Sequence, residues 1–293
     1  MSNTGNIAAS ITPKLTRGQF LLAPFVFARK ASAAPAPRIA YVCGDHEYSG
    51  EQTLPLFAAE LYKRYGFAID VIRSEPNQNA EENIPGLERL AQADLAVFFL
   101  RWRRLPAAQV AHIENYLKSA KPLIALRTSS HSFNYPKGHP LESWNRFATD
   151  AFGAPPGWNV DGHRHYGHES TTRVLSPTKP HAWLKGVATP FEAPSWLYHV
   201  LPNYPPKDAE ILLQGEAINP NKQAEINPIA WTWKNKYGAR TFYTSLGHPG
   251  DFALEPFQRL LTNAIHGSLG LKLNFKWPGP MKIDVPYRGI VKG

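Results

Sequence analysis

Cysteine and methionine are nearly absent from this sequence of 293 residues, which has one Cys and two Met. With Cys43 alone, no internal disulfide can form in any compartment. The thiol sits inside the apolar run RIAYVCG, which marks it as a buried structural residue. A glycine-rich phosphate loop is missing too. The segment closing that run, GDHEYSG, is neither G-x-G-x-x-G nor a P-loop, so the common nucleotide signatures are excluded. There are no internal repeats and no low-complexity tracts. No basic cluster is interleaved with aromatics. RWRR at 101–104 comes nearest, and four residues are a weak nucleic-acid signal. Acidic residues are fewer than basic ones, 23 against 32, giving a formal charge of +9. Lys14, Arg17, Arg29 and Lys30 carry four of those charges in a stretch without acids, so the remainder is only mildly basic. No nucleic-acid partner is expected.

Proline and aromatics are plentiful: 27 Pro, 8 Trp, 12 Tyr and 15 Phe. They suggest long, stiffened loops. Hydrophobic residues at 43% and charged residues at 19% are ordinary for a soluble globular chain, and the length suits one large α/β domain or two small ones. Residues 1–37 read as a leader. Thr16-Arg17-Gly18-Gln19-Phe20-Leu21-Leu22 opens a short apolar run, and Ala31-Ser32-Ala33 offers a small-residue cleavage site. The pattern resembles a twin-arginine export signal with Gly18 in place of the second arginine. It points to an exported, periplasmic protein, with a cytoplasmic tail as the alternative. The run is too short to span a bilayer, so no membrane span is expected.

From Arg38 the pattern becomes regular. RIAYVCG (38–44), FAIDVIRS (67–74), LAVFFL (95–100) and LIALR (123–127) are continuously apolar strands. Between them lie SGEQTLPLFAAELYKRYG (49–66), IPGLERLAQA (84–93) and PAAQVAHIENYLKSAK (106–121), which have helical character. Such β-α-β-α-β-α-β alternation predicts an α/β fold with a mostly parallel sheet covered on both faces. Further on, LESWNRFATDAF (141–152) predicts a helix, 153–170 loops, 190–206 a long surface excursion, 210–218 a strand, 227–247 a hairpin turning at 235–238, and 256–270 a last helix. From Leu271 no periodicity is clear. The expected organisation is a leader at 1–37, one domain at 38–271 and a tail at 272–293.

Ligands of such sheets bind beyond the carboxyl ends of the strands. Those ends deliver Asp45, His46, Glu47 and Tyr48; Arg101 and Trp102; Arg127, Ser129 and His131; and His248 and Asp251. Four dense polar loops at the expected positions predict one shared pocket.

The pieces GDHEYSGEQTLP, FFLRWRRL, KPLIALRTSSHSF, GHRHYGHES and AWTWKNKYGARTFYTSLGHPGDF resemble the ThuA-like (trehalose utilisation) family, within the class I glutamine amidotransferase-like superfamily. The resemblance runs from about Arg38 to Leu271. It implies a flavodoxin-like three-layer α/β/α sandwich with long loops at the C-terminal edge, and a link to disaccharide or keto-sugar metabolism. It also raises a Cys-His-Glu glutaminase triad, which fails residue by residue. Arg127 stands in the cysteine slot, and Gly250 stands where a glutamate is expected after His248. An arginine, always protonated, is no nucleophile.

The remaining groups suit acid/base chemistry. His248 or His131 would move a proton, Arg127 would clamp an oxygen that becomes negative, and Glu47 or Asp251 would orient an imidazole. Asp45, His46, Tyr48, Arg101, Trp102 and Ser129 would contact substrate. The bland readings are an ion pair of Arg127 with Asp45 or Glu47 and a satisfied loop histidine at 131. His163, His165 and His168, in H-x-H-x-x-H spacing with Glu169 nearby, are candidate ligands of a divalent metal such as zinc; the alternative is a polar loop rimming the pocket. Trp102, Tyr135, Trp158, Tyr166, Trp196 and Tyr198 would stack on a sugar ring or pack the loops. The sequence therefore reads as a sugar-active protein with a small-molecule carbohydrate partner. The alternatives are a non-catalytic carbohydrate-binding module and a metal-dependent hydrolase. An oligomer is compatible with either.

Overall fold

The computed structural model describes residues 35–290, so nearly all of the leader-like segment lies outside the described residues. The strands are β1 (Arg38–Gly44), β2 (Ala68–Arg73), β3 (Leu95–Leu100), β4 (Leu123–Leu126), β5 (Arg164–His165), β6 (Thr171–Val174), β7 (Phe191–Ala193), β8 (Tyr198–His199), β9 (Glu210–Ile218), β10 (Asn227–Lys234) and β11 (Arg240–Thr244). The α-helices are α1 (Gly50–Tyr65), α2 (Ala107–Lys118), α3 (Phe147–Phe152) and α4 (Glu255–Ser268).

Nine strands form one sheet in the order β2-β1-β3-β4-β11-β10-β9-β6-β7, and β5 pairs separately with β8. The first five run parallel. With β11 as the fifth strand, their order is the flavodoxin-like 2-1-3-4-5, so the fold class is the α/β class expected. From β11 onward the sheet turns antiparallel and builds a wing of β10, β9, β6 and β7.

Alternation along the parallel strands explains the layering. Ile39, Tyr41, Cys43, Leu95, Val97 and Phe99 enter one core with α1 and α4, represented by Phe57, Leu61, Leu260 and Ala264. Ala40, Val42, Ala96, Phe98 and Leu100 enter the other with α2 and α3, represented by Val110, Ile113, Phe147 and Phe152. Strands buried on both faces read as unbroken apolar runs.

Four stretches differ from the sequence reading. Residues 84–93 fold as a single 3-10 turn, Leu87–Gln92, and 141–152 splits into a 3-10 turn at Glu142–Arg146 followed by α3. The stretch 190–206 is no surface excursion: Ser195, Trp196, Leu197, Tyr198 and Val200 are buried, because its aromatic and aliphatic side chains outweigh the solvent preference its prolines imply. The tail does have a period. Met281, Ile283 and Val285 are buried while Lys282, Asp284 and Pro286 are exposed, an extended segment with one face on the α1/α4 core. No helix among the described residues is long and apolar enough to cross a membrane.

Candidate functional site

The loops after β1, β3, β4 and β11 meet at one rim of the sheet, joined by residues 158–168 and 195–199 of the wing. Two buried carboxylates buckle them. Asp45 accepts from the backbone N–H of Glu47 (3.3 Å), Tyr48 (2.6 Å) and Gly50 (3.3 Å) and from Thr128 Oγ1 (3.2 Å). Asp251 accepts from the N–H of Ser195 (3.1 Å), Gly247 (2.7 Å) and His248 (3.0 Å) and from Ser195 Oγ (2.5 Å). Burial pushes both carboxyls up, while the hydrogen bonds pull the other way. Both aspartates are fully buried and committed to backbone and hydroxyl donors, and Asp251 holds the backbone of His248, not its ring. Ser129 is likewise committed, donating to the Phe98 carbonyl and accepting from the Leu100 N–H.

Arg127 opens the turn after β4 with φ +40°, the left-handed region a side chain rarely adopts. Such a sharp turn is what the elbow of this sheet type requires. Gly247, at φ +145°, leaves room for it: a Cβ there would stand 3.1 Å from that of Arg127. The guanidinium is fully buried. Nη1 donates to the carbonyls of Trp196 (3.2 Å) and Ser245 (2.9 Å), and Nη2 to the Tyr48 hydroxyl (3.0 Å). Its faces meet Tyr48 at 4.2 Å and Tyr198 at 4.8 Å. The partners are carbonyls and rings, so the ion pair with Asp45 or Glu47 does not form. Glu47 pairs instead with Arg101 at 2.7 Å. Arg127 Nε has no partner among the described residues.

His46 is buried between two guanidiniums, 2.7 Å from Arg101 Nη1 and in contact with Arg103 Nη2. A neutral imidazole has one acceptor nitrogen, so only one of these contacts is a hydrogen bond. His46 is part of the wall, and burial lowers its pKa to about 3. Arg101 lies 3.4 Å over the Trp102 ring.

Five other histidines complete the rim. His248 Nδ1 accepts from the Gly250 N–H at 3.1 Å, which leaves the proton of the neutral ring on Nε2. Burial, with Arg127 nearby, lowers its pKa to about 4. His165 is the opposite tautomer: Nδ1 contacts the Tyr166 carbonyl and must donate, leaving the lone pair on Nε2. Burial lowers its pKa to about 4 as well. His163 donates from Nδ1 to the Gly157 carbonyl at 2.8 Å, and its Nε2 lies 3.5 Å from Ser130 Oγ, which also contacts His131 Nδ1 at 3.0 Å. His168 lies flat on Trp196, with ring centres 4.0 Å apart. His165 and His168 share the Trp196 ring, at 5.0 and 4.0 Å, while His163 turns to Gly157, and among the described residues no three His, Cys, Asp or Glu side chains group as a metal site.

The rings form a continuous arc. His248 meets Tyr287 (4.8 Å), Tyr287 meets Trp196 (5.6 Å), Trp196 meets His165 (5.0 Å), His165 meets Trp158 (5.0 Å), Trp158 meets His131 (5.4 Å), and His131 meets Trp102 (6.1 Å). Arg127, Tyr48 and Tyr198 lie buried beneath it. Tyr135 and Tyr166 stay outside: Tyr135 packs on Phe133 in the α2/α3 layer, and Tyr166 stacks on His199. Sequence reasoning missed Ser195 and Tyr287. The alternation from Met281 to Tyr287 was the available signal for the second. Two cavities of about 460 Å³ each lie elsewhere, on the wing, and share His181, Asp208 and Glu210.

The family model for ThuA, trehalose utilisation, matches residues 42–266, which span the parallel core, the Arg127 turn and the His248-Pro249 pair. The chain belongs to the ThuA family. Solved relatives share the fold. A ThuA-like protein from Parabacteroides merdae is 16% identical with a TM-score of 0.61, covering 87% of this chain and 98% of its own. One from Bacteroides uniformis is 20% identical with a TM-score of 0.55, covering 82% and 95%. No curated protein matches the ThuA chain described here.

Proposed function

We propose that this ThuA-family protein is a sugar-active enzyme that performs acid/base chemistry on a disaccharide or keto-sugar without a covalent nucleophile. One observation carries the reading: two neutral imidazoles of opposite tautomer, His165 and His248, both contact Trp196. Next to a sugar carbonyl, the His165 Nε2 lone pair takes the carbon-bound proton. The His248 Nε2–H donates a hydrogen bond to the oxygen that becomes negative. The fixed charge of Arg127 stabilises that oxygen's field. Low imidazole pKa values keep both rings neutral at pH 7, so tautomer and not charge separates donor from acceptor. Aromatic faces suit the C–H face of a sugar ring and exclude water. The only thiol, Cys43, is buried in β1 with its pKa pushed up to about 12, which leaves it unsuited to attack.

The commitment of Asp45 and Asp251 to backbone donors favours one second reading, a site that binds the sugar and does not turn it over. Incubating the protein with 3-keto-trehalose in D2O separates the two. Proton exchange beside the carbonyl, or product, that is lost in His165→Ala and His248→Ala supports the enzyme. Binding without exchange in the wild type supports the module. Neither binding nor exchange ends the sugar-active reading.

A further inference from the structure

We propose that Tyr287 is a substrate-contacting residue of this site, brought to it by the C-terminal segment and setting its preference for a sugar ring; this rests on the sugar-active reading above. The segment lies beyond the family-matched residues 42–266. It has no regular element, yet it is fastened at several points. The buried Gln258 side chain of α4 clasps Met281 twice, Nε2 donating to its carbonyl (2.9 Å) and Oε1 accepting from its N–H (2.7 Å). Arg64 of α1 donates to the carbonyls of Gly279 (2.5 Å) and Pro280 (3.1 Å). Trp277 Nε1 donates to Glu255 at 2.6 Å. Met281, Ile283 and Val285 then enter the core in alternation.

With a period of two, the next inward position is 287. There the chain has passed the helices and reached the rim, and the inward side chain is a tyrosine whose ring meets three site residues. It lies 4.8 Å from His248, 5.6 Å edge-on from Trp196 and 5.7 Å from Tyr48. It is half-buried, and its hydroxyl has no hydrogen-bond partner among the described residues. The phenol presents an apolar face beside His248 and a donor-acceptor at its tip, the combination that recognises a sugar ring with its hydroxyls. Its ring also covers His248 and contributes to the burial that keeps that imidazole neutral.

The test uses the full chain, with Tyr287→Ala and Tyr287→Phe. Trehalose and 3-keto-trehalose are titrated in while tryptophan fluorescence, to which Trp102, Trp158 and Trp196 of the rim contribute, is followed. Loss of the ring should weaken binding roughly three- to tenfold, and loss of the hydroxyl alone by less. In parallel, the NMR titration midpoint of His248 should rise from about 4 toward 6.5 in Tyr287→Ala and stay in place in Tyr287→Phe. If Tyr287→Ala does not fold, Tyr287→Leu against Tyr287→Phe carries both measurements. Wild-type binding that Tyr287→Ala matches overturns the assignment while the sugar reading stands. A wild type that binds neither sugar overturns both.

Discussion

Arg127 and Tyr48 are joined twice: Nη2 donates to the phenol oxygen at 3.0 Å, and the guanidinium carbon sits 4.2 Å from the centre of the same ring. A permanent charge is thereby buried with no carboxylate in contact, held by carbonyl dipoles and π faces. Such a charge is sustained only while every partner stays in place.

Replacing Arg127 by alanine frees two buried carbonyls and removes the packing of three rings. A loss of about 3–5 kcal/mol in unfolding free energy is expected, measured by urea denaturation. Arg127→Cys puts a thiol in the elbow but supplies no glutamate at Gly250, and His248 Nδ1 is already engaged. No release of glutamate from glutamine is expected. Release above background would contradict the assignment of roles at this elbow.

Asp251→Asn keeps the shape and swaps one carboxylate oxygen for a donor that meets N–H and O–H groups. A cost of about 2–3 kcal/mol is expected. The loop carrying His248 should loosen with it, so amide exchange at 247–251 ought to speed up beyond the global change. Unchanged exchange there would mean that the buckle does not hold the histidine.

Histidines set the acid limit. Those at 163, 165 and 248 are held near pKa 4 by burial, against an ordinary 6.5, and are neutral in the fold. The unfolded chain binds their protons between those values, so their contribution is present above about pH 6.5 and lost as pH falls toward 4. For the nearly fully buried His163 this amounts to about 3 kcal/mol. Asp45 and Asp251, with raised carboxyls, act in the opposite sense. The thermal midpoint should fall between pH 6.5 and 4, less steeply in His163→Gln. A His163→Gln profile as steep as that of the wild type would show that His163 is not held neutral in the fold.

Treatment with EDTA is expected to leave the thermal midpoint unchanged. His163 is bonded to the Gly157 carbonyl, and His168 is stacked on Trp196. A fall reversed by zinc would restore these side chains as a ligand set.

The parallel half of the sheet was legible because strands covered on both faces are unbroken apolar runs, and β1, β3 and β4 are such runs. The wing was not. β6 has four residues and β7 three, and β6 pairs with β9 some forty residues away, beyond any local pattern. At the site, the approach of the loops carrying residues 45–48, 127 and 248 followed from strand ends, whereas Tyr287, which comes from the C-terminal segment, did not. The duties of Asp45 and Asp251 did not, since a carboxylate spent on backbone N–H groups looks in sequence like one offered to a ligand. An aspartate just before a helix start, as at 45, does carry that hint. His165 and His168 were drawn together by spacing and do lie together on Trp196, but His165 Nδ1 is spent on the Tyr166 carbonyl and His163 faces Gly157, so the three do not converge.

The sealing of Cys43 inside β1 has a practical consequence. A thiol at 1% exposure, flanked by sheet on both sides, is silent toward maleimides in the folded protein. Any cysteine introduced on the surface is then the sole point of attachment, so a fluorophore or spin label at the exposed position 284 would report on one location without Cys43 being removed first.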